Sequence, residues 1–217
     1  MNPVGVYLGG EGPNELGSRA AHPVYQIDKN PGVLQTLLSK VQPEGWRVAG
    51  AVTWKKIRKY RARGTTPGEE QNVLGLVDAA GAARAQVVAF FRDADGDPAR
   101  PAAITRGIEQ AIALFPELEI IGGTAVPVLE GWILAILGVR GTEQLSKAGA
   151  QSRLADRGIG SKDTRAMVET VQSCSIERLP KDAESLRIWL ARAGEVLPRL
   201  VEEAGRVQRA PEEQGSR

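Results

Sequence analysis

Residues 86–91, Gln-Val-Val-Ala-Phe-Phe, form an apolar run that stops at Arg92 and gives way to carboxylates at every second position, Asp93, Asp95 and Asp97. So short and apolar a run reads as a central strand. The acids at its end constrain the chemistry. Three like charges this close repel, so a cation or a hydrogen-bond network has to compensate them. A hard cation such as Mg2+ is the simplest compensator, because it takes oxygen ligands and is usually held by one or two carboxylates with waters and substrate phosphates. A solvated acidic turn after a strand is the other reading of the same residues.

The pattern on either side supplies elements that would cover such a strand. Residues 4–8 read as a short, largely buried strand that runs into the Gly-rich turn Gly9-Gly-Glu-Gly-Pro-Asn-Glu15. Residues 18–31, with His22 and two prolines, read as loop. Apolar spacing at Val33, Leu34, Leu37, Leu38 and Val41 predicts a helix over 33–41, and residues 46–54 read as a second strand with Val48 and Val52 on one side. Thr66 as N-cap, Pro67 at the first helical position and Glu69 and Glu70 in the first turn mark a helix start. That helix runs to about Ala80, where Gly81 can take a left-handed cap. A helix over 104–115, a short strand over 118–121 closed by Gly122 and Gly123, and an apolar segment over 126–137 with one acid, Glu130, follow. Strand–helix alternation at these intervals predicts an α/β fold, a mainly parallel sheet flanked by helices.

After Gly138 the composition shifts. Residues 139–163 are polar and Gly-rich, and helices are predicted over 163–172 and 181–207. The second carries the stripe Leu186, Trp189, Leu190, Val196, Leu197, Leu200 and Val201, which Pro198 should kink or split. The organisation expected is an α/β domain over 1–138, a helical extension over 139–207 packed on it, and a disordered tail over 208–217.

Composition narrows the function classes. A net charge of +2 leaves any nucleic-acid binding to local clustering. A single cysteine, Cys174, excludes an intramolecular disulfide and a Cys-based zinc site, and a single histidine, His22, excludes a histidine-rich metal site. No apolar run reaches the ~18 residues of a membrane span, and no charged, then apolar, leader opens the chain. A soluble, cytoplasmic protein with no membrane partner is expected.

In an open parallel sheet, functional groups gather beyond the carboxyl ends of the strands. Glu11 follows the first strand and Asp93, Asp95 and Asp97 the central one, so parallel neighbours would bring these acids to one edge. Competing readings of these loops fail. A dinucleotide fingerprint through Gly10 and Gly12 needs glycine where Glu15 stands. A phosphate-binding loop over 12–18 lacks its lysine and carries acids instead. A calcium loop starting at Asp93 needs glycine where Pro98 stands and glutamate where Ile104 stands. Residues 55–63 hold Lys55, Lys56, Arg58, Lys59, Arg61 and Arg63, with Trp54 and Tyr60 interleaved. Such cations give sequence-independent affinity for phosphodiesters, and the aromatics could stack unpaired bases; a solvated loop is the plainer alternative. Lys162, in Gly-Ser-Lys-Asp, is a further candidate of the kind some nucleases add.

Three segments carry a family likeness: Leu8-Gly-Gly-Glu-Gly-Pro-Asn-Glu15, Phe90-Phe-Arg-Asp-Ala-Asp-Gly-Asp97 and Ala125-Val-Pro-Val-Leu-Glu-Gly-Trp-Ile-Leu-Ala135. Together they resemble the TOPRIM domain of topoisomerases, primases and OLD-type nucleases. The resemblance is strongest to a TOPRIM-like family of bacterial proteins often encoded beside AAA-type ATPases in phage-defence loci. It implies a TOPRIM-like fold over the first two thirds of the chain, with Mg2+- or Mn2+-dependent hydrolysis of DNA or RNA. Glu11, Asp93 and Asp95 would be catalytic. Glu11 would serve as general acid/base or metal-linked carboxylate, Asp93 and Asp95 as metal ligands, Asp97 in support and Glu130 as a further ligand. It also implies an effector role in antiphage defence, with an AAA-type ATPase as partner and homo-oligomerisation as an option. The alternative from another class is a catalytically weak scaffold or sensor on the same fold that binds the ATPase or nucleic acid. The chain departs from the family at Ile136, where Asp is common, and at Gly9 and Gly10, where bulkier apolar residues are common.

Overall fold

In the computed structural model, residues 3–21, 30–61, 63–64 and 68–209 are described. His22, Thr66, Pro67 and the tail beyond Arg209 lie outside that set, and with them the helix start expected at Thr66. The sheet is parallel throughout. Its strands are β1 (Val4–Gly10), β2 (Trp46–Thr53), β3 (Val87–Phe90) and β5 (Glu119–Ile121), in the order β2-β1-β3-β5. β3 breaks at Phe91 and resumes as the two-residue β4 (Arg92–Asp93), which pairs in parallel with β6 (Thr124–Ala125), the continuation of β5.

The crossovers divide at β1. Helix α2 (Val33–Val41) carries the chain from β1 outward to β2. Helices α3 (Glu69–Ala82) and α4 (Arg100–Leu114) then carry it back past β1 to β3 and on to β5. The sheet faces follow this split through the two-residue period of the strands. Val4, Val6 and Leu8 of β1 and Val87, Ala89 and Phe91 share one core with α2 and the helices that follow β6. Val88, Phe90 and Ile120 face the other core, against α3 and α4. The central strands are therefore covered on both sides, as an apolar run without alternation requires.

The C-terminal segment is helical: α5 (Leu129–Ile136), α6 (Lys147–Ala155), α7 (Thr164–Ser173) and α8 (Glu184–Arg209). These helices share the first core with the sheet, so Trp132, Met167, Leu186, Trp189 and Leu197 are buried with the strand residues. Where β3 breaks, the carbonyl of Phe90 accepts a hydrogen bond from the indole N–H of Trp189 at 2.9 Å, and Phe91, Trp132 and Trp189 pack as an aromatic trio.

Several local expectations are corrected. The polar stretch 139–163 contains a helix, α6, started by Ser146, whose side chain accepts from the Gly149 N–H. Helix α4 begins four residues before Ile104, and α3 runs through Gly81, leaving the left-handed conformation to Arg84. Helix α8 is not split at Pro198 but continues to Arg209.

Candidate functional site

A parallel sheet whose crossovers leave in opposite directions from two neighbouring strands opens a crevice between their carboxyl ends. Here those neighbours are β1 and β3. The crevice is a cleft of about 390 Å3 lined by the turn after β1, by Asp93, by the start of α5, and by Lys147, Gln151 and Lys162.

The turn after β1 works because Gly10 is a glycine. A Cβ there would sit 2.7 Å from Cβ of Glu15 and 2.9 Å from Cγ of Leu16, so the short helix α1 (Pro13–Leu16) can fold down onto the strand end. Glu15 is thereby buried, and its Oε2 accepts from the Gly12 N–H at 2.8 Å. Glu11 projects from the same turn; its Oε1 accepts from the Asp93 N–H at 3.2 Å and is ion-paired with Arg92. Asp93 in turn bridges to α5, with Oδ1 accepting from the Leu129 N–H at 2.9 Å, one of the helix's otherwise unpaired first-turn donors. One residue on, Glu130 is buried and accepts from Gln151 Nε2 at 3.1 Å. Lys147 and Gln151, four apart on α6, share the helix face that meets this wall.

The third wall is held from a distance. Asn14 donates from Nδ2 to the Ser161 carbonyl at 2.7 Å, and its Oδ1 accepts from the Thr164 hydroxyl at 2.7 Å. This clamp ties the loop carrying Lys162 to the turn carrying Glu11 and Glu15, which is why Lys162 lines the cleft.

Burial of like charges sets the electrostatics. Asp93 is pushed up to about 7, chiefly by burial and next by the charges of Glu15, Glu130 and Asp95, against the opposing hydrogen bond from Leu129. Glu15 is also raised, by burial first and with a contribution from Glu130, against the N–H groups of its own turn. Asp95 goes the other way. Burial alone would raise it, but the hydrogen bond and charge of Lys147, at 2.6 Å, together with Arg100 hold it below its ordinary value. Lys147 is raised, first by that hydrogen bond and further by the charges of Asp95, Asp93 and Glu130.

Of the acids singled out from sequence, Glu11, Asp93 and Glu130 line one cleft. Asp95 stands behind Lys147, in a left-handed conformation with φ 56°, its N–H donating to the Pro127 carbonyl at 3.0 Å. Asp97 is about half exposed and accepts from the Ala99 N–H at the entry to α4; it does not reach the cleft. Lys55, Lys56, Arg58, Lys59, Arg61 and Arg63 are exposed, and none lines the cleft. Trp54 is buried, with Arg92 over its ring and its indole N–H on Glu69, so it presents no base-stacking face.

Among the lining residues given no role at the site from the sequence are Glu15, Lys147 and Gln151. Glu15 carried a signal, an acid three residues after the turn glycine, where a capping box places it. Lys147 and Gln151 carried only the serine start of α6 and their spacing of four.

The donor chemistry fits a hard cation held by two carboxylates and water. Among the described residues no group of three Asp, Glu, His or Cys side chains is placed to hold an ion. Comparison of the chain with protein-family models, with curated proteins and with solved structures returned no match.

Proposed function

We propose that the protein is a TOPRIM-like phosphodiesterase that hydrolyses DNA or RNA with Mg2+ or Mn2+ in the cleft between β1 and β3. One observation carries the reading. Asp93, Glu15 and Glu130 are gathered with their charges opposing one another, at the sheet crevice where ligands bind, beside two lysines. That combination suits a site meant to receive a cation and a phosphate together. Asp93, with Glu15 or Glu130, would hold the metal, which when bound supplies Lewis-acid polarisation of a phosphoryl oxygen. The chain's own groups account for the rest. Lys147 and Lys162 neutralise phosphate oxygens at the cleft wall. The Leu129 N–H fixes the Asp93 carboxylate, and the Gln151 amide fixes that of Glu130. Glu11, in the cleft wall, would accept the proton from the attacking water. An effector role in antiphage defence beside an AAA-type ATPase belongs to the same proposal and rests on the sequence resemblance alone.

A second reading has its own support. Arg92 pairs with Glu11, and Lys147 with Asp95, so two of the acids expected to serve the metal already have cations. That arrangement suits a scaffold or sensor subunit that keeps the fold and not the chemistry. Calorimetric titration with Mg2+ and Mn2+, followed by nicking and RNA-cleavage assays, separates the two. The enzyme reading expects metal binding and cleavage, both lost in Asp93→Asn, and cleavage lost in Glu11→Gln. Folded protein that neither binds metal nor cuts, alone or with its partner, would leave the scaffold.

A further inference from the structure

The basic segment after β2 is the feature of the molecule that the cleft does not use. Thr53, the last residue of β2, is in register with Gly10 of β1, so the segment leaves the sheet one strand away from the Glu11 turn, at the same edge. It then departs over the opposite face. Trp54 and Ile57 are buried in the core formed with α3 and α4. The Tyr60 N–H donates to the Gln71 carbonyl at 3.1 Å. At Gly75, a Cβ would stand 2.1 Å from the Arg58 carbonyl oxygen, so the segment's backbone lies directly on the α3 backbone, and only glycine allows that approach. The segment is thus a strap fixed by two buried side chains, a backbone hydrogen bond and a glycine contact. Along and just beyond these anchors Lys55, Lys56, Arg58, Lys59 and Arg61 are all exposed. Among the described residues, none of the five forms an ion pair, whereas Arg92, Arg100, Arg106 and Arg192 are engaged by carboxylates.

We infer that this strap is a docking site for the phosphodiester backbone of a nucleic acid, separate from the acidic cleft and leading to it over the carboxyl edge of β2. The inference rests on the phosphodiesterase reading for its choice of nucleic acid among polyanions. The physical need is plain. A cleft that sets four carboxylates against two lysines offers a polyanion little net attraction before any metal binds, so further affinity has to come from elsewhere on the surface. Five exposed cations without a carboxylate partner among the described residues, on a segment anchored to α3, supply it without sequence preference, through release of counterions from the phosphates. Trp54 is buried, and Tyr60, though partly exposed, packs edge-on against Phe115, so the contacts the strap offers are chiefly to backbone phosphate.

The test uses the full chain in EDTA, so that no cleavage occurs, with fluorescein-labelled 20-base-pair duplexes of DNA and of RNA, followed by anisotropy from low to moderate salt. The expected result is binding whose log K falls against log salt with a slope of about −4 on DNA. In the triple variant K55Q/K56Q/K59Q the slope should shrink by about 1 for each lysine removed, with affinity down at least tenfold at 100 mM salt. Binding of either duplex through the strap supports the inference, and the tighter of the two identifies the source of the phosphodiester. No binding at low salt, or a triple variant with the parent's affinity and slope, overturns it. If affinity falls instead in Lys147→Gln or Lys162→Gln, the strap is excluded while the phosphodiesterase reading stands. If the strap binds duplex but no metal restores cleavage, the enzyme reading fails and the strap remains.

Discussion

Asp93 is where sequence, fold and chemistry meet in one side chain. Its carboxyl is raised from 3.8 to about 7, first by burial and then by Glu15, Glu130 and Asp95. In the unfolded chain it would ionise near its ordinary value, so the metal-free folded state holds a proton that the unfolded state gives up between about pH 4 and 7. The contribution of Asp93 to stability is therefore full below pH ~4 and is lost as pH rises through about 7; raised Glu15 acts with the same sign. Asp95, with its lowered value, acts in the opposite sense only as pH falls into the acid range, outside this window. In EDTA the protein is expected to be less stable at pH 8 than at pH 5.5, by an amount on the order of a few kcal/mol. Asp93→Asn, which can still accept from Leu129, should flatten most of that slope. Urea unfolding of both proteins at the two pH values checks it, and identical slopes would refute the burial argument. The acid was legible in sequence because it ends an apolar run. Its closest electrostatic partner, Glu15, was harder to see. Its entry into the cleft depends on Gly10 letting α1 fold down, and a missing Cβ matters only once the neighbour's position is known.

At the scale of elements, the strands and the helices that alternate with them follow from local pattern, whereas α6 and the continuity of α8 do not. Pro198 predicts a break because an interior proline costs about 3 kcal/mol. Yet α8 buries Leu186, Trp189, Ala193, Val196 and Leu197 against the sheet. Each large apolar side chain among these stabilises the helix by roughly 1.5–3 kcal/mol, so tertiary burial outweighs the local penalty. The residue four before the proline is Gly194, with nothing within 4 Å of where a Cβ would be, so no side chain of its own adds to crowding at that turn. Trp189 is the point where α8 engages the sheet with a specific bond as well as with area. Trp189→Phe keeps an aromatic ring but leaves the Phe90 carbonyl buried without its donor, a cost of about 1–3 kcal/mol. The expected outcome is a fall of that size in unfolding free energy, read by urea denaturation. A variant as stable as the parent would mean that the strand break at Phe91 is satisfied in another way.

Over the whole molecule, the helical segment after Gly138, expected to pack on the sheet domain, contributes side chains to the same core as the strands. The first sheet face is covered by α2 together with α5, α7 and α8, and only α2 and α5 precede Gly138. Removing the residues after 138 would uncover Phe91 and Trp132, which pack on Trp189, and Ile121 and Ile133 of the same core. It would also take away Lys147, Gln151 and Lys162, which close the acidic cleft, and the Ser161 and Thr164 partners of Asn14. The carboxylates would then stand in water without their lysines, and the sheet would have one dry face and one wet one. An all-parallel sheet is stable only with both faces covered, because its strands are apolar on both. A chain ending at Gly138 is therefore expected to lose cooperative unfolding and near-ultraviolet dichroism while keeping part of its secondary structure, the behaviour of a collapsed state without fixed packing. Adding residues 139–209 as a separate chain should restore both signals if they complete the core. A truncated chain that unfolds cooperatively by itself would instead make the C-terminal helices an appendage, and would confine the site to Glu11, Glu15, Asp93 and Glu130.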